Sequence, residues 1–355
     1  MSAQTPVCQL LERQDGDYRG WLWVAPPRDA WLEQGRGSAV SADHGVLEAW
    51  REHGRAAFSP FDAGSVGEPP GAVLFWPKAH ALGEWWLLWL CANLPSGTRL
   101  QLVGENQGGI KRVLKVLAAL GLGCRKLDSA RRCILFETRL GDVGIDPDAA
   151  WTTFEAEGLV LATHPGVFGH GKLDAGTKLL LERLEAGLPG PDRARDVLDM
   201  GCGDGILAAW LARRGHAVTA VDVNAFAVEA TRRTLAANGL EGQAVASDVY
   251  SALGGRRFAA IVSNPPFHQE RSIDYGPAGR LIREAPAHLQ PGGQLWLVAN
   301  AFLPYPDLLE SAFGGFQIVA DDRRFRVYTT KQGNTLKSIV RRHAHGAGPC
   351  RLDRQ

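Results

Sequence analysis

A chain of 355 residues, 45% hydrophobic and 22% charged, is long enough for two folded domains and too apolar to be disordered. Thirty-nine Lys and Arg against 38 Asp and Glu leave a net charge of +1, so no overall polycation is present and any nucleic-acid contact needs a local basic face. The six cysteines form no CxxC pair, so neither a disulfide framework nor a metal site is expected. The N-terminus carries no basic-then-apolar leader, and the richest apolar run, Trp85 to Leu90, is too short to span a bilayer. A cytoplasmic protein with no membrane partner and no metal is the expectation.

Gly20 to Val24 reads as a strand and residues 41–55 as a helix followed by a turn. After the Gly/Pro loop Asp62 to Gly71 come a strand, Ala72 to Trp76, an apolar helix, Glu84 to Asn93, and a strand, Arg99 to Val103. The run Gly104-Glu105-Asn106-Gln107-Gly108-Gly109-Ile110 then leads into a helix, Lys111 to Leu120, which is the grammar of a nucleotide-binding βα unit. No acidic residue ends a clean strand about 20 residues later, and no polar-Pro-Pro-aromatic corner follows. Arg131 to Phe136 resembles Arg323 to Tyr328 near the other end. An internal duplication is expected, with an N-terminal copy that has lost its cofactor site. The acidic, aperiodic stretch Gly141 to Ala150 holds the boundary, placing a degenerate domain at 1–145 and a second domain at 146–330.

Phe154 to Thr163 reads as one or two strands. Pro165 to Asp174 is a flexible glycine-rich stretch, either a cover for a cofactor or a linker, entering a helix, Ala175 to Leu188. Asp196-Val197-Leu198-Asp199-Met200-Gly201-Cys202-Gly203-Asp204-Gly205-Ile206 is a buried strand, a turn with three alternating glycines and a helix start. The next strand, Ala217 to Val221, ends in Asp222. Its carboxylate is placed to accept from ribose hydroxyls. A helix, Ala225 to Asn238, and a strand, Gln243 to Ala246, lead to Ser247-Asp248-Val249. Beyond residue 275, helices are expected at 276–289 and 306–312. Strands are expected at Gln294 to Ala299, Gln317 to Ala320 and Arg324 to Thr329, with a basic, poorly ordered tail at 331–355.

The loop is Asp-x-Gly-x-Gly-x-Gly rather than Gly-x-Gly-x-x-Gly. Asp199 and Asp204 would repel a pyrophosphate and suit a ligand bearing an ammonium and a sulfonium, which fits S-adenosylmethionine. Asp199, Gly201, Cys202, Gly203 and Gly205 are assigned its amino-acid end, Asp222 its ribose and Asp248 the adenine amino group. Val223 and Val249 are assigned the two faces of the ring.

The run Phe258 to Ser263 is a strand covered on both faces that stops at Asn264-Pro265-Pro266-Phe267-His268. The prolines fix φ and remove N–H groups, making a rigid ledge. Asn264 and the Pro265 carbonyl can together hold an exocyclic –NH2 through two hydrogen bonds, and Phe267 can stack on the ring that carries it. Two acceptors on its hydrogens favour a pyramidal nitrogen with its lone pair aimed outward.

With these motifs in hand, residues 151–330 resemble a class I S-adenosylmethionine-dependent methyltransferase of the N6-adenine/N2-guanine type. More narrowly, 1–330 resembles the bacterial 16S ribosomal RNA guanine-N2 methyltransferase (RsmC) family. The matching stretches are Val103 to Asn106, Asp128 to Cys133, Pro165 to Phe168, Leu235 to Gly239, Asn264 to His268 and Val298 to Pro306. The resemblance implies two tandem Rossmann-like class I methyltransferase domains. The N-terminal one is degenerate and assists substrate binding and folding. It implies S-adenosylmethionine as cofactor, 16S rRNA within the 30S subunit as partner, and a monomer. Asn264, Pro265 and Phe267 are then the catalytic residues. Asn264, Pro265, Pro266, Phe267 and His268 form the substrate ledge, with Asn264 also beside the cofactor. His268 is assigned a base-edge or phosphate contact rather than the role of general base. Open alternatives are the sister 23S rRNA family, RlmG, amino methylation of adenine or glutamine, and a non-enzymatic RNA-binding scaffold.

Overall fold

The computed structural model describes residues 2–35, 37–62, 66–169, 171–188, 195–265 and 276–333. The N-terminal half starts with α1 (Pro6–Glu12), β1 (Leu22–Val24), α2 (Ala30–Glu33), β2 (Ser38–Val40), α3 (His44–Glu52), β3 (Ala57–Phe58) and β4 (Gly71–Phe75). It continues with α4 (His80–Asn93), β5 (Arg99–Glu105), α5 (Val113–Ala119), β6 (Arg125–Ala130) and β7 (Cys133–Arg139). All residues of β1 and β4 are buried, as continuous apolar runs in central parallel strands require. The α4 helix starts at His80, four residues before the expected Glu84. Trp85, Trp86, Leu87, Trp89 and Leu90 are buried in it.

A hairpin, β8 (Thr152–Ala156) with β9 (Leu159–Thr163), leads into α6 (Ala175–Gly187). The C-terminal half then runs β10 (Asp196–Met200), α7 (Ile206–Arg213), β11 (Ala217–Asp222), α8 (Ala225–Ala237), β12 (Gln243–Ala246) and β13 (Phe258–Ser263). It closes with α9 (Gly276–His288), β14 (Leu289–Asn300), α10 (Tyr305–Phe313), β15 (Gln317–Asp321) and β16 (Phe325–Lys331). The β14 strand begins at Leu289, five residues before the expected Gln294. A register shift opposite Phe258 and Ala260 absorbs this early start.

The two sheets have the same order. One runs β3-β2-β1-β4-β5-β7-β6, the other β12-β11-β10-β13-β14-β16-β15. In both, the first five strands in this order are parallel, the sixth (β7 or β16) runs antiparallel to them, and the edge strand (β6 or β15) pairs antiparallel with the sixth. Even the irregularities correspond. The register shift between Lys126 and Asp128 in β6 has its counterpart between Ile318 and Ala320 in β15. Two tandem copies of one α/β fold are therefore present, as the repeated Arg-Arg stretch suggests.

The correspondence corrects one sequence expectation. Gly104 to Ile110 follows β5, the fifth strand of the sheet, and not β1. The counterpart of the three-glycine loop is Ala25-Pro26-Pro27-Arg28, which contains no glycine. The counterpart of the Asn264 corner is Trp76-Pro77-Lys78. There a buried indole presses on Gly83, whose added Cβ would lie 2.6 Å from the ring. The first copy thus lacks the glycine cradle and fills its corner with a tryptophan.

The copies meet through equivalent loops. His44 N–H donates to the Val223 carbonyl at 2.8 Å, and Ala225 N–H donates to the Ala42 carbonyl at 2.7 Å. These bonds exchange corresponding positions about an antiparallel bridge between Asp43 and Asn224, the N-caps of α3 and α8. The contact has the self-complementary form of a two-fold homodimer. Beside it Phe226, 1% exposed, enters the N-terminal core. It stacks on His164 at 4.5 Å and meets Trp85 edge-on at 4.8 Å.

Candidate active site

Parallel register puts the ends of β10, β11, β12 and β13 on one edge of the second sheet, and every proposed contact residue lies, in sequence, at or just past one of those ends. After β10, Gly201, Gly203 and Gly205 have φ of 79°, 55° and 83°. Two physical reasons for glycine separate here. At Gly205 an added Cβ would lie 2.8 Å from the Thr231 Cα, so the loop packs on α8. At Gly201 and Gly203 it would meet no protein atom within 4 Å. There the left-handed backbone keeps clear space over the turn, a cradle suited to a ligand. Gly201 and Cys202 N–H groups anchor the loop to the Val221 carbonyl at 2.8 and 3.0 Å. The Cys202 thiol is buried, its titration pushed far up by burial, so it acts as a packing group.

Asp222 tightens the loop from the neighbouring strand. One carboxylate oxygen accepts from Gly203 N–H at 3.2 Å and the other from Asn224 N–H at 2.9 Å. Each oxygen keeps a further lone pair for a hydroxyl. Val223 stands exposed beside it.

Asp199 is placed differently from the expectation. Its carboxyl is wholly enclosed beneath the loop, and neither oxygen has a hydrogen-bond partner. Burial pushes its pKa up to about 8, and the nearby Asp222 and Asp204 carboxyls raise it further. Asp204 is pushed up to about 6, also by burial. The carboxyls of Asp199, Asp204 and Asp222 crowd one glycine loop and are all pushed up by burial, and a cationic ligand beside them would favour their ionised forms. The cleared cradle and the Asp222 lone pairs fit S-adenosylmethionine.

At the third strand end, Asp248 accepts a 2.5 Å ion pair from Arg280 on α9. Val249 has φ 54° and is buried among core residues that include Met200 and Leu253. A β-branched residue there is strained. The ring sandwich expected of Val223 and Val249 therefore has one exposed side, Val223.

At the fourth, Ser263 Oγ donates to the Met200 carbonyl at 2.7 Å, fastening the corner to β10. The Asn264 amide nitrogen donates to Asp174 Oδ2 at 3.0 Å and to Thr177 Oγ1 at 2.7 Å. Its Oδ1 is buried without a partner, and Pro265 beside it is buried. Pro266, Phe267 and His268 lie outside the described residues, as does the tail from 334. Among the described residues no cluster of His, Cys, Asp or Glu could hold a metal, and no helix is long and apolar enough to cross a membrane.

Comparison with known proteins agrees with this geometry. The methyltransferase small domain model matches residues 158–329, and the methyltransferase small domain N-terminal model matches residues 19–153. Ribosomal RNA small subunit methyltransferase C of Chromohalobacter salexigens is 66% identical over 92% of this chain and 98% of its own length. The chain belongs to the ribosomal RNA small subunit methyltransferase C family. A Klebsiella pneumoniae member is 40% identical over 93% of this chain and 98% of its own. A solved structure, the T. thermophilus 16S rRNA N2 G1207 methyltransferase (RsmC) in complex with AdoMet and guanosine, superposes with a TM-score of 0.81. It is 29% identical and covers 93% of this chain and 92% of that one.

In this member of the small subunit methyltransferase C family, sequence reasoning missed Asp174, Thr177, Asn224 and Arg280. Asp174 carried a signal, since an Asp just before a helix start is an N-cap pattern, and Thr177 carried none. Nothing in the sequence says that this cap reaches a strand end 90 residues away.

Proposed function

We propose that the chain transfers a methyl group from S-adenosylmethionine to the exocyclic 2-amino group of a guanine in 16S rRNA. The guanine corresponds to the one for which its T. thermophilus structural neighbour is named. The observation that carries the reading is the Asn264 oxygen, buried and unpartnered, beside Pro265 on the same sheet edge as the three-glycine loop. A hydrogen-bond acceptor kept unsatisfied at such a place awaits a donor, and an exocyclic amine is one.

Gly201 to Gly205, Asp222 and Val223 would hold the cofactor. S-adenosylmethionine supplies an electrophilic methyl group on a sulfonium. Asn264 Oδ1 and the Pro265 carbonyl accept the two amine hydrogens of an everted guanine, which leaves the nitrogen lone pair facing away from the protein acceptors. Transfer of that methyl to the amine nitrogen would leave one proton too many on the nitrogen, and this proton would pass to water. Alignment of the two reactants contributes up to about 7–11 kcal/mol. Exposed arginines at equivalent hairpin turns, Arg131 and Arg132 in one copy and Arg323 and Arg324 in the other, are available for RNA phosphates.

The test is transfer of labelled methyl to 30S and 50S subunits lacking their guanine-N2 methylations, with the product nucleotide mapped. Label on one 16S guanine is expected. Asn264→Ala should lower turnover at least about 100-fold while cofactor affinity holds. Label on 23S rRNA alone, or unchanged turnover in Asn264→Ala, would overturn the assignment.

A further inference from the structure

Asn264 is not left to choose its own orientation. Asp174 is the N-cap of α6, where its Oδ2 accepts from the Thr177 N–H at 3.1 Å. The same oxygen accepts from Asn264 Nδ2, and the buried Thr177 hydroxyl accepts from that nitrogen too. Both amide hydrogens thus have partners on the first turn of one helix. An ionised carboxylate has nothing to donate, so an amide facing it must present nitrogen and not oxygen. Gly176 belongs to the device, since a Cβ there would lie 2.9 Å from Asp174 Oδ2 and 3.3 Å from the Phe325 ring. The segment Asp174-Ala175-Gly176-Thr177 is therefore a clamp on the amide nitrogen.

We propose that Asp174 and Thr177 are positioning residues that lock the Asn264 amide with its oxygen turned to the substrate. By this lock the site selects a planar base carrying an –NH2 at the reacting edge over one carrying a carbonyl. The proposal rests on the reading of Asn264 as amine acceptor. Without the clamp the amide can turn over about its last torsion and offer hydrogens where the substrate also has hydrogens. With it the corner accepts and never donates. The proposal also gives the stretch before α6 a role tied to Asn264, distinct from a linker or a cover.

Asn caps helices as well as Asp does, so Asp174→Asn keeps α6 while removing the purely accepting partner. Thr177→Val removes the second acceptor at nearly constant volume, and Thr177→Ser restores it. Methyl transfer to 30S subunits would be measured for all three, together with subunit KM, cofactor affinity and thermal melting. Asp174→Asn and Thr177→Val should each lower kcat about tenfold or more, a barrier increase of about 1.4 kcal/mol. KM, cofactor affinity and melting should stay near wild type, and Thr177→Ser should recover most of the rate. Wild-type kcat in Asp174→Asn and Thr177→Val, or a loss explained by cofactor affinity or melting, would overturn the proposal. A second measurement stands apart from turnover. In the intact protein labelled with nitrogen-15, the two Asn264 side-chain hydrogens should exchange slowly with solvent, and faster in both variants. Fast exchange in the wild type would overturn the lock even in an active enzyme. An inactive wild type with slow exchange would overturn the functional reading and keep the lock.

Discussion

Asp199 and Asn264 each bury a polar group that the protein leaves unanswered, and they do so for different ends. Asn264 holds an acceptor in readiness. Asp199 holds a carboxyl whose pKa of about 8 stands well above the ordinary carboxylate value of 3.8. The unfolded chain releases that proton near pH 4, while the folded chain keeps it to about pH 8. Folding therefore takes up a proton across this window, and stability falls as pH rises through it and levels off above. Asp199→Asn removes the titration at nearly the same shape. We expect the cofactor-free variant to gain on wild type as pH rises from about 4 to 8, by on the order of a few kcal/mol. Urea denaturation across that range reads it, and parallel pH slopes in the two proteins would refute it. Asp204, pushed up to about 6, adds a similar slope to both.

The glycine loop between β10 and α7 contains two kinds of glycine, and substitutions should separate them. Gly205→Ala meets both a φ of 83° and the Thr231 backbone at 2.8 Å. It should cost about 2–4 kcal/mol of stability. Gly203→Ala meets only the backbone strain, about 1–2 kcal/mol, but places a methyl in the cleared space. We expect it to melt closer to wild type and yet to lose cofactor affinity out of proportion to that loss. Thermal melting beside calorimetric titration distinguishes the two. Equal affinity losses per degree of melting would mean that the loop has a single packing role.

Across the two copies, Phe226 is the pivot. It caps no site itself, yet it sits between α8, His164 and the N-terminal tryptophans, two residues from the bridge at Asn224. Val223 and Asp222 precede that bridge. Docking of the N-terminal copy thus fixes the Asp222–Asn224 loop of the other. Phe226→Ala should cost about 3–5 kcal/mol. It should also weaken cofactor binding, although the side chain lies in the core. Unchanged cofactor affinity in a folded Phe226→Ala protein would show that the loop holds its shape without the neighbouring copy.

Much of this was written in local patterns. Continuous apolar runs marked the parallel strands, because a strand covered on both faces has no polar side to show. The three-glycine turn, the acidic residues at strand ends and the Asn264-Pro265 corner were visible for the same reason, since each states a backbone or charge requirement within a few residues. The repeated Arg-Arg stretch even signalled the duplication. What stayed hidden depends on contacts between distant segments. The sequence reading compared Gly104 to Ile110 with a cofactor loop because both are strand, glycine turn and helix; only strand order shows that it follows the fifth strand. Asp199 was read as facing the ligand, but its place inside the sheet follows from how α7 closes over it. The Asp174 clamp, the Arg280 partner of Asp248 and the reciprocal bonds between Ala42–His44 and Val223–Ala225 join residues 32 to 183 positions apart. Local propensity carries no term for such pairs, so folding in three dimensions had to set them.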